Sequence, residues 1–220
     1  MKSPVRQLLT FAIALLVSLS AFTQIACGAS DVKKVSARAA ALASLVQSFD
    51  PAGQLLAENL ISPDEAEAVR SKVAAWVEPV RQFDSQVTAA LASNPKASLI
   101  ELAPQFAGLL TRWNDLQAIK FSNAKAQLLF DKTLSAARVG VAFISAFYAA
   151  RIVTARRVLE GPARGEGRLF AAAGIEYDGG RLGEARESYQ RSGLAAGVND
   201  YFGTRVSDAD LRLILSAGGE

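Results

Sequence analysis

Residues 62–95 read SPDEAEAVRSKVAAWVEPVRQFDSQVTAALASNP, and the reading of this stretch decides the fold. Ser62 is a strong N-cap, Pro63 suits the first helical position, and Asp64, Glu65 and Glu67 stand where the helix dipole favours negative charge. From there Val69, Val73, Trp76, Val80, Phe83, Val87 and Leu91 return at steps of three and four. That spacing keeps them on one face until Ser93-Asn94-Pro95 ends the helix. An apolar stripe of about three heptads is costly to leave in water, so this helix requires partner helices.

The partners are legible on either side. Upstream, Val35, Leu42, Leu45 and Phe49 mark a helix that stops at Asp50-Pro51. Downstream, Leu99, Leu102, Phe106, Leu109, Trp113 and Leu116 form a second stripe. After a break near Ser122-Asn123, a third runs through Phe130, Leu134, Ala137, Val141, Ile144, Tyr148 and Ile152. Short joints favour antiparallel neighbours. Pro79 and Pro104 fall within the expected helices, where a missing N–H and a ring clash predict kinks. The fold class is therefore all-α: a kinked antiparallel helical bundle of three to four main helices over residues 27–158.

Beyond Arg157 the composition changes, because 12 of the 16 glycines lie from Gly161 onward and no lysine occurs there. Residues 159–168 are expected to be a linker, with Gly161 to Gly167 too rich in glycine to hold a helix. Residues 169–220 are expected to form a Gly-rich part of short helices, a hairpin and a tail. Ser207 and Asp210 are spaced as a capping box for a last helix over Ser207 to Ser216, and Gly218-Gly219-Glu220 should fray.

The first 26 residues read as an address. Lys2 and Arg6 form a basic start, and Leu8 to Ala26 is free of charge and rich in Leu, Ile, Val, Phe and Ala, as in a secretory leader. Cys27, the single cysteine, follows directly. The stretch Ala26-Cys27-Gly28-Ala29-Ser30 is similar to the cleavage site of bacterial lipoproteins, with Ala26 matching and Gln24 in the place usually held by Leu. The resemblance implies a signal peptide over 1–26, lipid attachment at Cys27 and a membrane partner through that lipid. Gly28 rather than Asp after the cysteine implies the outer membrane, facing the periplasm, in a two-membrane cell. Two alternatives stay open: cleavage after Ala29 to give a soluble secreted protein, or an uncleaved span, since Leu8 to Ala26 nearly supplies the roughly 20 residues a span needs.

A second resemblance lies in the C-terminal part. Ala173, Tyr177, Gly180, Leu182, Glu184, Ala185 and Tyr189 are spaced as in one tetratricopeptide repeat, with Ser192 where alanine is usual. Neighbouring windows do not repeat the pattern, so a lone hairpin is expected rather than a solenoid.

Chemistry is bounded by what is missing. The chain has no histidine, which removes imidazole bases, histidine triads and the usual zinc sites. No catalytic, cofactor-binding or metal-binding residues are assigned and no cofactor is implied. Asp64 and Glu67 share a helical face, yet capping and the dipole account for both. The glycines of 161–167 lack the strand and the Gly-Lys-Ser/Thr ending of a phosphate cradle. The apolar run Val139 to Ala150 spans about 18 Å as a helix, short of a roughly 30 Å hydrocarbon core, so it reads as a buried helix. Without Lys2 and Arg6 the basic count falls from 24 to 22 against 21 acids, and the longest basic runs are pairs, so nucleic acid is not a partner.

Two functional readings follow. The first is a non-enzymatic interaction or structural module of the cell envelope, with a protein partner not specified by the sequence. The second is a periplasmic carrier whose bundle opens around an apolar ligand near Trp76, Phe106 and Trp113.

Overall fold

A computed structural model describes residues 29–95, 97–161 and 165–219. Cys27 and the leader lie outside these residues. Among the described residues the chain is all-α, with nine α-helices, one 3-10 turn and no strand. The helices are α1 (Ala29–Phe49), α2 (Pro51–Ala57), α3 (Pro63–Ser93), α4 (Ala103–Gln117), α5 (Ala124–Leu159), α6 (Glu166–Ala172), α7 (Gly179–Ser192), α8 (Leu194–Phe202) and α9 (Asp208–Gly218), with the 3-10 turn at Ile100–Leu102.

Local chemistry sets the ends of these helices. Ser62 and Glu65 close a reciprocal capping box at α3: the Glu65 N–H donates to Ser62 Oγ at 3.2 Å, and the Ser62 N–H to Glu65 Oε2 at 2.7 Å. Ser207 and Asp210 do the same at α9. Asn123 caps α5 through Oδ1, which accepts from the N–H groups of Lys125 and Ala126 at 2.9 and 3.3 Å. Asp50 ends α1 in the left-handed region, φ 43°, and its carboxylate accepts from the Gly53 N–H at 3.0 Å to start α2. The same carboxylate pairs with Arg70 of α3 at 2.8 Å, and hydrogen bonding from that guanidinium holds its pKa below the ordinary value.

The two prolines occupy different positions in their helices. Pro104 lies in the first turn of α4, where a missing N–H leaves nothing unsatisfied, and so it opens the helix instead of kinking it. Leu99, expected on the α4 stripe, adopts φ 61° ahead of the 3-10 turn. Pro79 does lie inside α3, and the helix runs on through it to Ser93.

α3 packs against both α1 and α4. Ser36 Oγ lies 2.8 Å from Asp84 Oδ1 and Asp50 pairs with Arg70, so α1 and α3 run in opposite directions and the start of α1 lies toward the end of α3. All seven members of the third stripe are buried on α5, as are six of the seven on α3. The side chains of Leu42, Leu45 and Phe49 lie outside the description. The rings interlock: Trp76 with Trp113 at 5.6 Å, Phe83 with Phe106 at 5.6 Å, and Phe106 stacked on Tyr148 at 5.0 Å. Such contacts add roughly 0.5–1.5 kcal/mol each beyond area burial. Ala137–Leu159 of α5 is long and apolar enough to cross a membrane by length and composition, and 56% of its apolar 18-residue stretch is buried.

The C-terminal helices pack onto α5. Arg186 of α7 donates to the Val158 and Gly161 carbonyls at 2.9 and 3.1 Å and pairs with Glu166, capping the end of α5. α5 runs to Leu159, and helix is present again from Glu166, with Gly167 inside it. Gly174 ends α6 with φ 66°, and Ala173 to Tyr177 lie between helices rather than within one; the hairpin is made by α7 and α8. Nor do the terminal glycines all fray. Gly218 is helical and so close to α5 that an added Cβ would strike Ala149 and lie 3.1 Å from the Ser145 carbonyl oxygen. Gly197 plays the same part in α8, where a Cβ would stand 2.9 Å from Tyr189 Cβ and 3.0 Å from the Ala185 carbonyl oxygen. Two of the tail's glycines therefore permit close helix approach.

Candidate functional site

A cleft of about 510 Å³ opens where the end of α3 and the 97–101 corner meet the α6–α7 connection and the end of α8. Each wall is fixed by hydrogen bonds that follow from local sequence. On the first wall, Asn94 ends α3 by donating its N–H to the Ala90 carbonyl at 2.9 Å, and the Ala97 N–H returns to Asn94 O at 2.9 Å. The corner then turns at Leu99. A leucine with positive φ is strained, and two things hold it: its side chain is fully buried, and its carbonyl accepts the Tyr148 hydroxyl at 2.9 Å and the Leu102 N–H at 3.0 Å. Burial drives the Tyr148 pKa well above its ordinary value, so it remains a donor. Ser98 and Glu101 flank this corner and face the cleft.

On the second wall, the Ile175 N–H donates to Phe170 O at 2.8 Å and returns the chain from α6. The Tyr201 hydroxyl then clamps the extended segment, donating to the Glu176 carbonyl at 2.8 Å and accepting from the Asp178 N–H at 2.8 Å. Its pKa is raised by burial. Asp178 caps α7 by accepting from the Gly180 and Arg181 N–H groups at 3.0 and 3.1 Å. Phe202 packs edge-on to Tyr201 at 4.9 Å and lines the floor with Ile175.

Among the described residues the cleft is lined by Glu101, Glu176, Asp178 and Arg181, together with the apolar Ile175 and Phe202. Arg181 Nε lies 3.9 Å from Asp178 Oδ2, a loose pair. Among the described residues no three Asp, Glu or Cys side chains converge on a point that could hold a metal ion.

A second, smaller cleft of about 260 Å³ lies at the α1–α2 corner beside Asp50, Arg70 and Val73. Its charged groups are already paired with each other.

Of the residues singled out by sequence, Asp64 and Glu67 are exposed in the first turns of α3, and Trp76 and Trp113 are core residues. Cys27, the sequence-assigned lipid site, lies outside the described residues. None of the cleft's charged residues carried a signal: each is an isolated surface residue, brought to the others by the return of the C-terminal helices. Comparison with family models, curated proteins and solved structures finds no match for this chain.

Proposed function

We propose that this protein is an exported, lipid-anchored module of the cell envelope, a kinked antiparallel helical bundle that acts through its surface and performs no catalysis. The observation that carries the reading is the uncharged run Leu8 to Ala26 ending at the single cysteine, Cys27, only two residues ahead of the first residue of α1. A thioether-linked diacylglycerol there would leave almost no tether. Because α1 runs opposite to α3, the bundle would hang from the membrane by the end that carries the cleft.

A surface role is supported over an internal carrier by the packing of the rings a carrier would need to open. Trp76, Phe106 and Trp113 are buried and sit in a series of close ring contacts. Glu101, Glu176, Asp178 and Arg181 line the outer cleft instead.

Palmitate labelling of growing cells, followed by mass measurement of the purified protein, tests the proposal. The expected result is a labelled membrane protein with a diacylglyceryl N-terminus at Cys27, and loss of label in Cys27→Ala. A free N-terminus at Ser30, or an unprocessed chain in the cytosol, would sink it.

A further inference from the structure

We propose that the outward face of α5, from Lys132 to Arg157, lies along an anionic phospholipid surface. The neighbouring helices leave this face open. Gly140 looks toward α1, where an added Cβ would stand 3.8 Å from Val35 Cγ1, and Ala149 looks toward α9, where it meets Gly218. From Gly140 to Ala149 is two and a half turns at about 3.6 residues per turn, so these directions are opposite and α1, α5 and α9 form one layer. Val139 precedes Gly140 and Ala150 follows Ala149, each by about 100° around the helix, so both point out of the layer on the same side. The core, with Ile144, Tyr148 and Ile152, fills the other side. Val139 is 43% exposed, Ala142, Ala146 and Ala150 are exposed, and Phe143 and Val153 are half-buried beside them. Between Val139 and Val153 the only charged residue is Arg151, which is buried.

Charge decides what covers the face. Lys132 lies two turns before Val139 and Arg157 two turns after Ala150, both exposed and on the same line, so the apolar stretch is bracketed by long basic side chains that can reach headgroups while their stems stay apolar. By sequence α5 has six basic residues to one acid, α1 three to one, and α9 with Glu220 one to three, and the layer is basic as a whole. Asp131, the acid of α5, stands about a quarter turn off the line and accepts from Gln127 Nε2 at 3.0 Å. A second copy of this face would oppose basic ends to basic ends, whereas anionic headgroups complement both. α5 lies on the bilayer rather than crossing it, because its inner side is committed to the core of the bundle.

The place where the chain leaves the bundle agrees, and this step rests on the envelope-anchored reading. α5 begins beside the start of α3, through Ser122 and Glu65, and passes Leu99 at Tyr148, so it runs with α3 and against α1. From Val35 back to Ala29 the helix rises about 9 Å, which brings the start of α1 level with Ala146. Cys27 is only two residues further. A diacylglycerol there would enter the bilayer beside the middle of the open face. The anchor fixes one point and the face adds a line, which lays the hanging bundle onto α5.

The test uses the mature protein purified from membranes, with Ala146→Cys carrying a nitrobenzoxadiazole label; Cys27, held in its thioether, does not react. Gln86→Cys, exposed on α3, carries the same label as a reference. In vesicles of phosphatidylcholine and phosphatidylglycerol in equal parts, the label at residue 146 should shift to the blue and be quenched by lipids spin-labelled near the headgroup, and the label at residue 86 should do neither. Val139→Glu should abolish both changes without lowering the unfolding midpoint, and Ala150→Glu serves if that variant does not fold. Lys132→Gln with Arg157→Gln should diminish the quenching, as should vesicles of phosphatidylcholine alone. No change at residue 146, the same change at residue 86, or quenching indifferent to the glutamate would overturn the proposal. So would a blue shift without quenching, which means that protein covers the face: a second copy where residue 146 crosslinks to itself, a retained leader where the mass includes residues 1–26. The anchor and the face fail separately. Lipid on Cys27 with no change at residue 146 leaves the anchor alone, and a free N-terminus at Ser30 with quenching at residue 146 removes the anchor and keeps the face.

Discussion

Glu65 shows how much one half-buried side chain can organise. It closes the α3 capping box and also reaches across to the α4–α5 joint, where Oε1 accepts from the Ser122 hydroxyl at 2.7 Å and from its N–H at 3.1 Å. These donors favour the charged form, the Ser62 N–H most of all, and lower the pKa from the ordinary 4.5 to about 2. A folded pKa below the unfolded one means the contribution is complete above about 4.5 and lost as pH falls toward about 2. The Glu65 carboxyl carbon, followed by NMR, should therefore titrate well below neighbouring exposed glutamates, and Glu65→Gln should flatten the loss of stability over that interval. A Glu65 midpoint near 4.5 would show that neither the bond from the Ser62 N–H nor the Ser122 contact forms. Its position at the surface makes the effect sensitive to salt.

At the scale of elements, α3 and α5 are legible from the sequence because their signals are local. A cap of the right type at Ser62, an apolar residue every three or four positions and a polar stop at Asn94 all act within a few residues of one another. The corner between α3 and α4 is different. Leu99 and Leu102 keep the spacing of an α4 stripe, but burial and the Tyr148 hydroxyl, 49 residues away, pull Leu99 into the left-handed region and shift the helix start to Ala103. No local reading contains Tyr148. The cleft is hidden for the same reason, since Glu101, Glu176 and Arg181 become neighbours only when α6 to α8 fold back. Tyr148→Phe removes the side-chain donor and leaves a buried carbonyl with one partner in place of two. A loss of about 1–3 kcal/mol by denaturant unfolding is expected. Hydrogen exchange should quicken first at Leu102, whose N–H depends on the same Leu99 carbonyl. Unchanged exchange at Leu102 with an unchanged midpoint would mean that burial of Leu99 alone holds the corner.

The whole molecule raises the question of whether the Gly-rich C-terminal part is an appendage or a share of the fold. Composition favours an appendage, with 12 of the 16 glycines from Gly161 onward and no lysine there. The packing favours a share: α9 lies on both α5 and α4, Val198, Tyr201, Leu211 and Ile214 belong to the same buried cluster as Trp76 and Phe106, and Arg186 caps α5. Gly218 tests which description governs stability, because its contact with Ala149 and the Ser145 carbonyl is a backbone approach that a methyl group would wedge apart. Gly218→Ala should cost about 1–3 kcal/mol as an overpacking change. In a chain of this size that corresponds to a midpoint lower by roughly 2–4 °C for each kcal/mol. Trp76 and Trp113 are the only tryptophans and lie on α3 and α4, so indole fluorescence reports the N-terminal part alone. In a single cooperative fold, the substitution at residue 218 lowers the fluorescence midpoint by as much as it lowers the transition followed by amide exchange in α7 and α8. If the tryptophan transition stays fixed while only the C-terminal amides open earlier, the helices beyond Gly161 unfold as a separate unit, and the compositional boundary is also an energetic one.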